Sequence, residues 1–338
     1  MKSRAALLVV FCGLWSIMVF GQSRNESVSP PPDTVTPNIP GIVAGNTKIE
    51  VVKYGLRGSD GVVGMPDGSI ILTTNGGVGK IDQEGNLSML VENAERAAGL
   101  AIDSRGRIIA AQYSKKVSVL YPKDSATVLA DNYDGKPFIR PNDLVVDKKG
   151  GIYFSDCYEI ARHGDVAVNG PDRKPDDLPQ AVYYITPAGK LIRVADDINR
   201  PNGITLSPDE KMLYVNDWLG QYLVAYDVQS DGTLKNRRNL AKFDLAQRTE
   251  QGPVGAGDGL CIDSKSNTYS TTPAGVQVFS AKGEHLGNIK VPIFDSFGIQ
   301  VAQNCAFGGP GKQYLYVAGS GVILRIHMLV SGYKGRAK

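Results

Sequence analysis

Histidine, clustered cysteine, one-signed charge and helical periodicity are all scarce in this 338-residue chain, and each scarcity removes a class of chemistry. Three histidines occur, His163, His285 and His327, none beside a candidate nucleophile in sequence, and no GxSxG elbow accompanies them. Ser–His hydrolase machinery is therefore not expected. The cysteines Cys12, Cys157, Cys261 and Cys305 stand at no metal-ligand spacing, which argues against zinc. Three of them remain beyond the amino terminus, an odd number that implies no disulfide framework. Cys261 and Cys305 lie inside apolar runs and read as buried small hydrophobes; Cys157, in a loop, stays undecided. The 37 basic and 34 acidic side chains give a net charge of +3 without basic clusters, so nucleic acid is not an expected partner. The glycines of "NGGVG" at Asn75 precede no helix and so make no phosphate loop.

The one long apolar run is at the start. In "MKSRAALLVVFCGLWSIMVFGQ", Lys2 and Arg4 precede apolar residues from Ala5 to Phe20, and Gly21 follows with Val19 two positions before it. This is the pattern of a secretory signal peptide over residues 1–21, which predicts export to a periplasm or outside the cell. An uncleaved membrane anchor is the alternative, but the run falls short of the roughly 20 apolar residues that span a bilayer. Phe11 before Cys12 argues against lipid attachment at that cysteine. Residues 22–41, rich in Ser and Pro, read as a flexible linker, and the folded domain is expected over 42–338.

What the chain does have is a phrase written six times. Strand-like runs opened by turn residues recur as "PDGSIILTT" from Pro66, "SRGRIIAAQ" from Ser104, "KKGGIYFSD" from Lys148, "PDEKMLYVND" from Pro208, "SKSNTYSTT" from Ser264 and "PGKQYLYVAG" from Pro310. Between them stand hairpin signals, "DQEGN", "TPAGK", "QSDGT" and "SAKGE". Six units of about four strands each predict an all-β, six-bladed β-propeller, because a blade-sized sheet must stack on its neighbours to bury its faces. The segment "KIEVVKYGL" from Lys48 is placed to pair with the last blade and close the ring, removing an exposed edge.

Counting back five residues from the end of each inner run reaches Asp60, Ala98, Asn142, Asn202, Asp258 and Asn304. Five of these six equivalent positions carry a side-chain oxygen, and inner strands of a propeller line its axis. Turn chemistry alone also favours Asn and Asp before Gly, so two readings stand at this point. If the positions converge, two carboxylates and several amides form an oxygen cage suited to a hard divalent cation, with calcium (Ca2+) a better fit than magnesium because it accepts more ligands in looser geometry. Arg140, two residues before Asn142, adds a donor fork for substrate oxygens. Arg200 beside Asn202 is the weaker of the pair, open to a stacking role.

The phrases "RPNDLVVDKKGGIYFSD", "RPNGITLSPDEKMLYVND", "GDGLCID" and "NCAFGGPGKQYLYV" together resemble the gluconolactonase and regucalcin (senescence marker protein) family, from about Val51 to Ile326. That resemblance implies a six-bladed propeller that binds a divalent cation and hydrolyses sugar lactones. It makes Asn202 and Asp258 metal ligands, Asp258 also the proposed catalytic base, and Arg140 and Asn142 contacts for substrate or a metal-bound water. Where the family has Glu in "EGP", this chain has "SDGVV", so Asp60 takes the ligand position with one methylene less reach. Asn304 is a more peripheral candidate. An organophosphate or ester hydrolase on the same site, and a non-catalytic metal-stabilised binding propeller, are the alternatives. The long stretch from Cys157 to Gln180 reads equally as a lid or binding wall that sets substrate selectivity and as a plain insertion.

Overall fold

The computed structural model describes residues 30–158, 177–244, 248–249, 252–253, 256–294 and 301–337. The expected signal peptide and the interior of the Cys157–Gln180 stretch, 159–176, lie outside the described residues. Each repeated phrase becomes the second strand of a four-stranded antiparallel blade: Ile70–Thr74, Ile108–Gln112, Ile152–Asp156, Met212–Asp217, Thr268–Thr272 and Tyr314–Gly319. The inner strands before them are Val62–Gly64, Ala97–Ile102, Pro141–Val146, Pro201–Leu206, Leu260–Ile262 and Asn304–Gly308. These inner strands meet one another in cyclic order, so blades 1 to 6 surround an axis.

The burial pattern explains why alternation is weak near the axis. Every residue of Ile108–Gln112, Ile152–Asp156 and Thr268–Thr272 is buried, because both faces of a blade are covered by its neighbours. The outermost strand Leu234–Lys242 is mostly exposed or half-buried. The apolar side chains gather in six clusters, one between each pair of adjacent blades. Val63, Ile71 and Val78 meet Leu100, Ile108 and Ala110 between blades 1 and 2, for example, and Phe138, Phe154 and Tyr183 pack on Ile109 and Val117 between blades 2 and 3. At about 1.5–3 kcal/mol for each fully buried large aliphatic or aromatic side chain, these interfaces hold the ring.

Ring closure follows the sequence expectation. Lys48–Lys53 pairs antiparallel with Val322–His327, with Ile49 opposite Ile326 and Val51 opposite Leu324. The fold, however, begins before residue 42. Thr34–Val35 adds a fifth strand beside Lys48–Lys53, and Ile39 is buried in the apolar cluster between blades 5 and 6. The expected linker is therefore shorter than residues 22–41, because Ile39 has an apolar surface to cover.

The carboxyl-terminal tail crosses the far ends of the inner strands. Gly332 bridges Asp263 in blade 5, Ala337 bridges Ile102 in blade 2, and Ser264 N–H donates to Ser331 O at 2.9 Å. Arg336, on the same tail, pairs with Glu210 of blade 4 at 3.0 Å and donates to the carbonyls of Leu206 and Ser207. Its guanidinium also lies against the Tyr333 ring. Among the described residues no helix is long and apolar enough to cross a membrane.

Candidate active site at the axial mouth

The starts of the inner strands are held by a device that explains the twice-written "RPN" phrase. Asp156, closing the second strand of blade 3, accepts the N–H groups of Ile139 at 2.9 Å and Arg140 at 2.6 Å. Asp217 in blade 4 accepts from Arg200 at 3.1 Å and Gly220 at 2.9 Å. In blade 2, Gln112 occupies the matching place and donates to Ala94 O at 2.9 Å. In blades 2, 3 and 4 the second strand thus fixes where its own inner strand begins.

Next come the glycines. A Cβ on Gly203 would stand 2.2 Å from Asp258 O, and one on Gly259 would stand 2.4 Å from Asn304 Oδ1. Gly61 and Gly99 are pressed in the same way, against Ala98 O and the Asp143 side chain. Glycine after Asn or Asp is required here by the approach of the neighbouring strand rather than by a turn. The positions thus lie on inner strands packed side by side.

The contacts between them can be followed round the ring. Gly203 N–H donates to Asp258 O at 2.9 Å and Gly259 N–H to Gln303 O at 2.7 Å. The Asn202 amide favours ionisation of the Asp258 carboxyl, and that of Asn304 favours ionisation of Asp60. Ser155 Oγ–H donates to Asn202 O at 2.7 Å and Ser155 Oγ accepts Asp143 N–H at 3.1 Å, joining blades 3 and 4. Blade 2 has only Ala98 at its ring position, and Tyr113 fills the gap. Its hydroxyl donates to Asp60 Oδ2 at 3.1 Å and stands 3.5 Å from Asn142 Nδ2, touching the ring residues of both flanking blades. Burial keeps this phenol protonated, so it can donate.

Asn142, Asn202 and Asn304 are buried, while Asp60 and Asp258 are half-buried at the mouth. Burial, then the charge of Asp60, pushes the Asp258 carboxyl up to about 8, against the opposing charge of Arg200. Burial and Asp143 raise Asp60 as well, opposed by the Tyr113 bond, the charge of Arg140 and the Asn304 amide. Two carboxylates that disfavour each other's ionisation, ringed by amide and hydroxyl oxygens, suit a hard cation as donors. Among the described residues no three His, Cys, Asp or Glu side chains cluster, so the amides would have to complete any such set.

The two arginines part company. The Arg140 guanidinium lies 3.3 Å from the centre of the Tyr113 ring, beside Asp60 and Asn142. Arg200 is buried, donates from Nε to Tyr158 O at 2.9 Å and stacks over Trp218 at 4.4 Å. Arg200 thus anchors the start of the long loop, whose near end is also tied by Tyr158 N–H to Gln180 Oε1 at 3.0 Å. Sequence reasoning missed Tyr113 and Asp143. Asp143 is buried, accepts from Leu144 at 2.9 Å and Ile204 at 3.1 Å, and adds negative charge beneath the ring. Its place directly after Asn142, where four of the other five blades have Gly, was the available signal.

The fold and this ring define a six-bladed β-propeller with an oxygen-lined axial mouth. The chain belongs to the SMP-30/gluconolactonase/LRE-like family, whose model matches residues 43–321. It is 27% identical over 317 residues to a gluconolactonase of Zymomonas mobilis, covering 88% of this chain and 86% of that protein. Regucalcin of Danio rerio is 27% identical over 246 residues, 70% of this chain and 74% of that one. Among solved structures, a gluconolactonase of Xanthomonas campestris matches with a TM-score of 0.71 at 25% identity, over 89% of this chain and 99% of the other. A calcium-binding regucalcin of Agrobacterium tumefaciens shares the fold with a TM-score of 0.65 at 17% identity, over 85% and 95% of the two chains.

Proposed function

We propose that this protein is an exported hydrolase that opens a sugar lactone or related ester and depends on a divalent cation, with calcium the best-fitting ion. The observation that supports the reading is the crowding of Asp60 and Asp258 at the mouth, with Asn202 acting on Asp258 and Arg140 stacked on Tyr113. The family's gluconolactonases support the substrate class, and the regucalcin described as calcium-binding supports the metal.

Asp60, Asn202 and Asp258 would hold the cation, whose charge, when bound, polarises the lactone carbonyl and stabilises oxyanion character. Arg140 and Asn142 orient the substrate oxygens from blade 3. Arg140 is braced against Tyr113, so its fork is presented in a fixed direction. Asp258 takes the proton of the attacking water. Asn304 acts on Asp60, and Arg200 holds Tyr158 at the start of the long stretch.

The test is to strip the mature protein with a chelator and follow opening of a sugar lactone by pH indicator while calcium is restored. Activity should vanish and return, and Asp258→Ala should not recover. Turnover indifferent to both metal and Asp258 overturns the proposal.

A further inference from the structure

Cys261 and Cys305 are buried, as expected of small hydrophobes, and their sulfurs lie 3.0 Å apart, one on the inner strand of blade 5 and the other on the inner strand of blade 6. They are 1% and 0% exposed, inside the apolar cluster between these blades. Inner strands of neighbouring blades share few hydrogen bonds. Gly259 N–H to Gln303 O at 2.7 Å and Thr271 Oγ–H to Gln303 O at 3.0 Å are the nearby links. A covalent bond needs a sulfur separation of about 2.0 Å, so an approach of about 1 Å by two adjacent thiols completes it.

We propose that Cys261 and Cys305 form a disulfide that staples blade 5 to blade 6. The oxidant is a disulfide donor, either oxidised glutathione or the active-site disulfide of a thiol oxidase. Both S–H bonds and the donor's S–S bond break, the Cys261–Cys305 bond forms, and two electrons and two protons leave on the donor as a pair of thiols. The bond forms during folding, before the two blades close, because the finished interface excludes the donor. It spans 44 positions of sequence, a loop long enough for a substantial constraint on the unfolded chain. It also ties the strand that follows Asp258 to the residue after Asn304. The inference stands apart from the lactonase reading, and either can fail alone.

The test refolds the full chain with a reduced and oxidised glutathione pair, denatures it with iodoacetamide and no reductant, and digests it with trypsin. The peptides bearing Cys261 and Cys305 should appear as one linked species, with Cys157 alkylated as the internal control. Reductant should split that species and lower Tm by roughly 5–10 °C, while the Tm of Cys305→Ala should not respond to reductant. Alkylation of both cysteines without reductant overturns the proposal, and that measurement stands even if the variant fails to fold.

Discussion

Replacing Asp258 with Asn should make the calcium-stripped protein more stable at pH 8 while removing its activity. Asp258 is pushed up to about 8 by burial and by Asp60, so the native state holds a proton that the unfolded chain releases near the ordinary value of 3.8. A raised native pKa contributes stability that is fully present below about pH 4 and is lost as pH climbs through 8. One proton is worth about 1.4 kcal/mol per pH unit, so the full window would amount to about 5–6 kcal/mol. Sharing of that proton with Asp60, and water at the half-open mouth, reduce this to about 2–4 kcal/mol. Asn keeps the shape and removes the charge. Denaturation in chelator from pH 4.5 to 8.5 should therefore show a falling curve for the native protein and a flatter one for Asp258→Asn, crossing so that the variant is the more stable at pH 8. Calcium should restore the native protein and leave the variant unmoved. A variant less stable at pH 8, with an unchanged pH slope, refutes the crowded-carboxylate account.

Two further substitutions probe the parts that surround this pair. Tyr113→Phe keeps the ring under Arg140 but removes the hydroxyl that bonds Asp60 at 3.1 Å; calcium should bind roughly tenfold more weakly by titration, as when a ligand loses its orienting partner, and an unchanged midpoint excludes a bracing role. Arg336→Ala breaks a largely buried pair with Glu210 and frees the tail from blades 2, 4 and 5; the urea midpoint should fall by the equivalent of about 2–4 kcal/mol, and an unaltered midpoint means that the tail does not clamp the ring.

The fold was legible because each second strand announces itself locally: Gly and Asp in the turn, then a β-branched or aromatic run such as "IILTT" or "IYFSD". A propeller repeats one supersecondary unit, so six weak local signals reinforce one another. The closing strand Lys48–Lys53 was legible for a related reason, since an apolar strand left over at one end must cover the edge left over at the other. The start of the fold was misplaced because Pro-rich composition says little about whether a single residue such as Ile39 finds a cavity. The tail was invisible for a different reason. Arg336 in "KGRAK" looks like a solvated cation in one dimension, and only closure of the ring gathers the carbonyls of Leu206 and Ser207 and the Glu210 carboxylate around it.

The candidate site shows how far register alone can carry an argument. Asp60, Asn142, Asn202, Asp258 and Asn304 could be aligned because they occupy one place in a repeated unit, and repetition turns a shared sequence position into a shared location. The method failed where the unit is broken. At Ala98 the alignment finds no oxygen, and the replacement, Tyr113, comes from the end of the next strand, outside the aligned column. The same limit hid the Cys261–Cys305 contact: the two positions differ by two places in the repeat, since Cys261 is three residues past Asp258 and Cys305 one past Asn304. Contacts within a column follow from the repeat, whereas contacts between columns depend on how far each blade is rotated against the next. That rotation is set by side-chain packing in the six interfaces, and it is there that a propeller can acquire a new ligand or a covalent staple without disturbing the pattern that makes it recognisable.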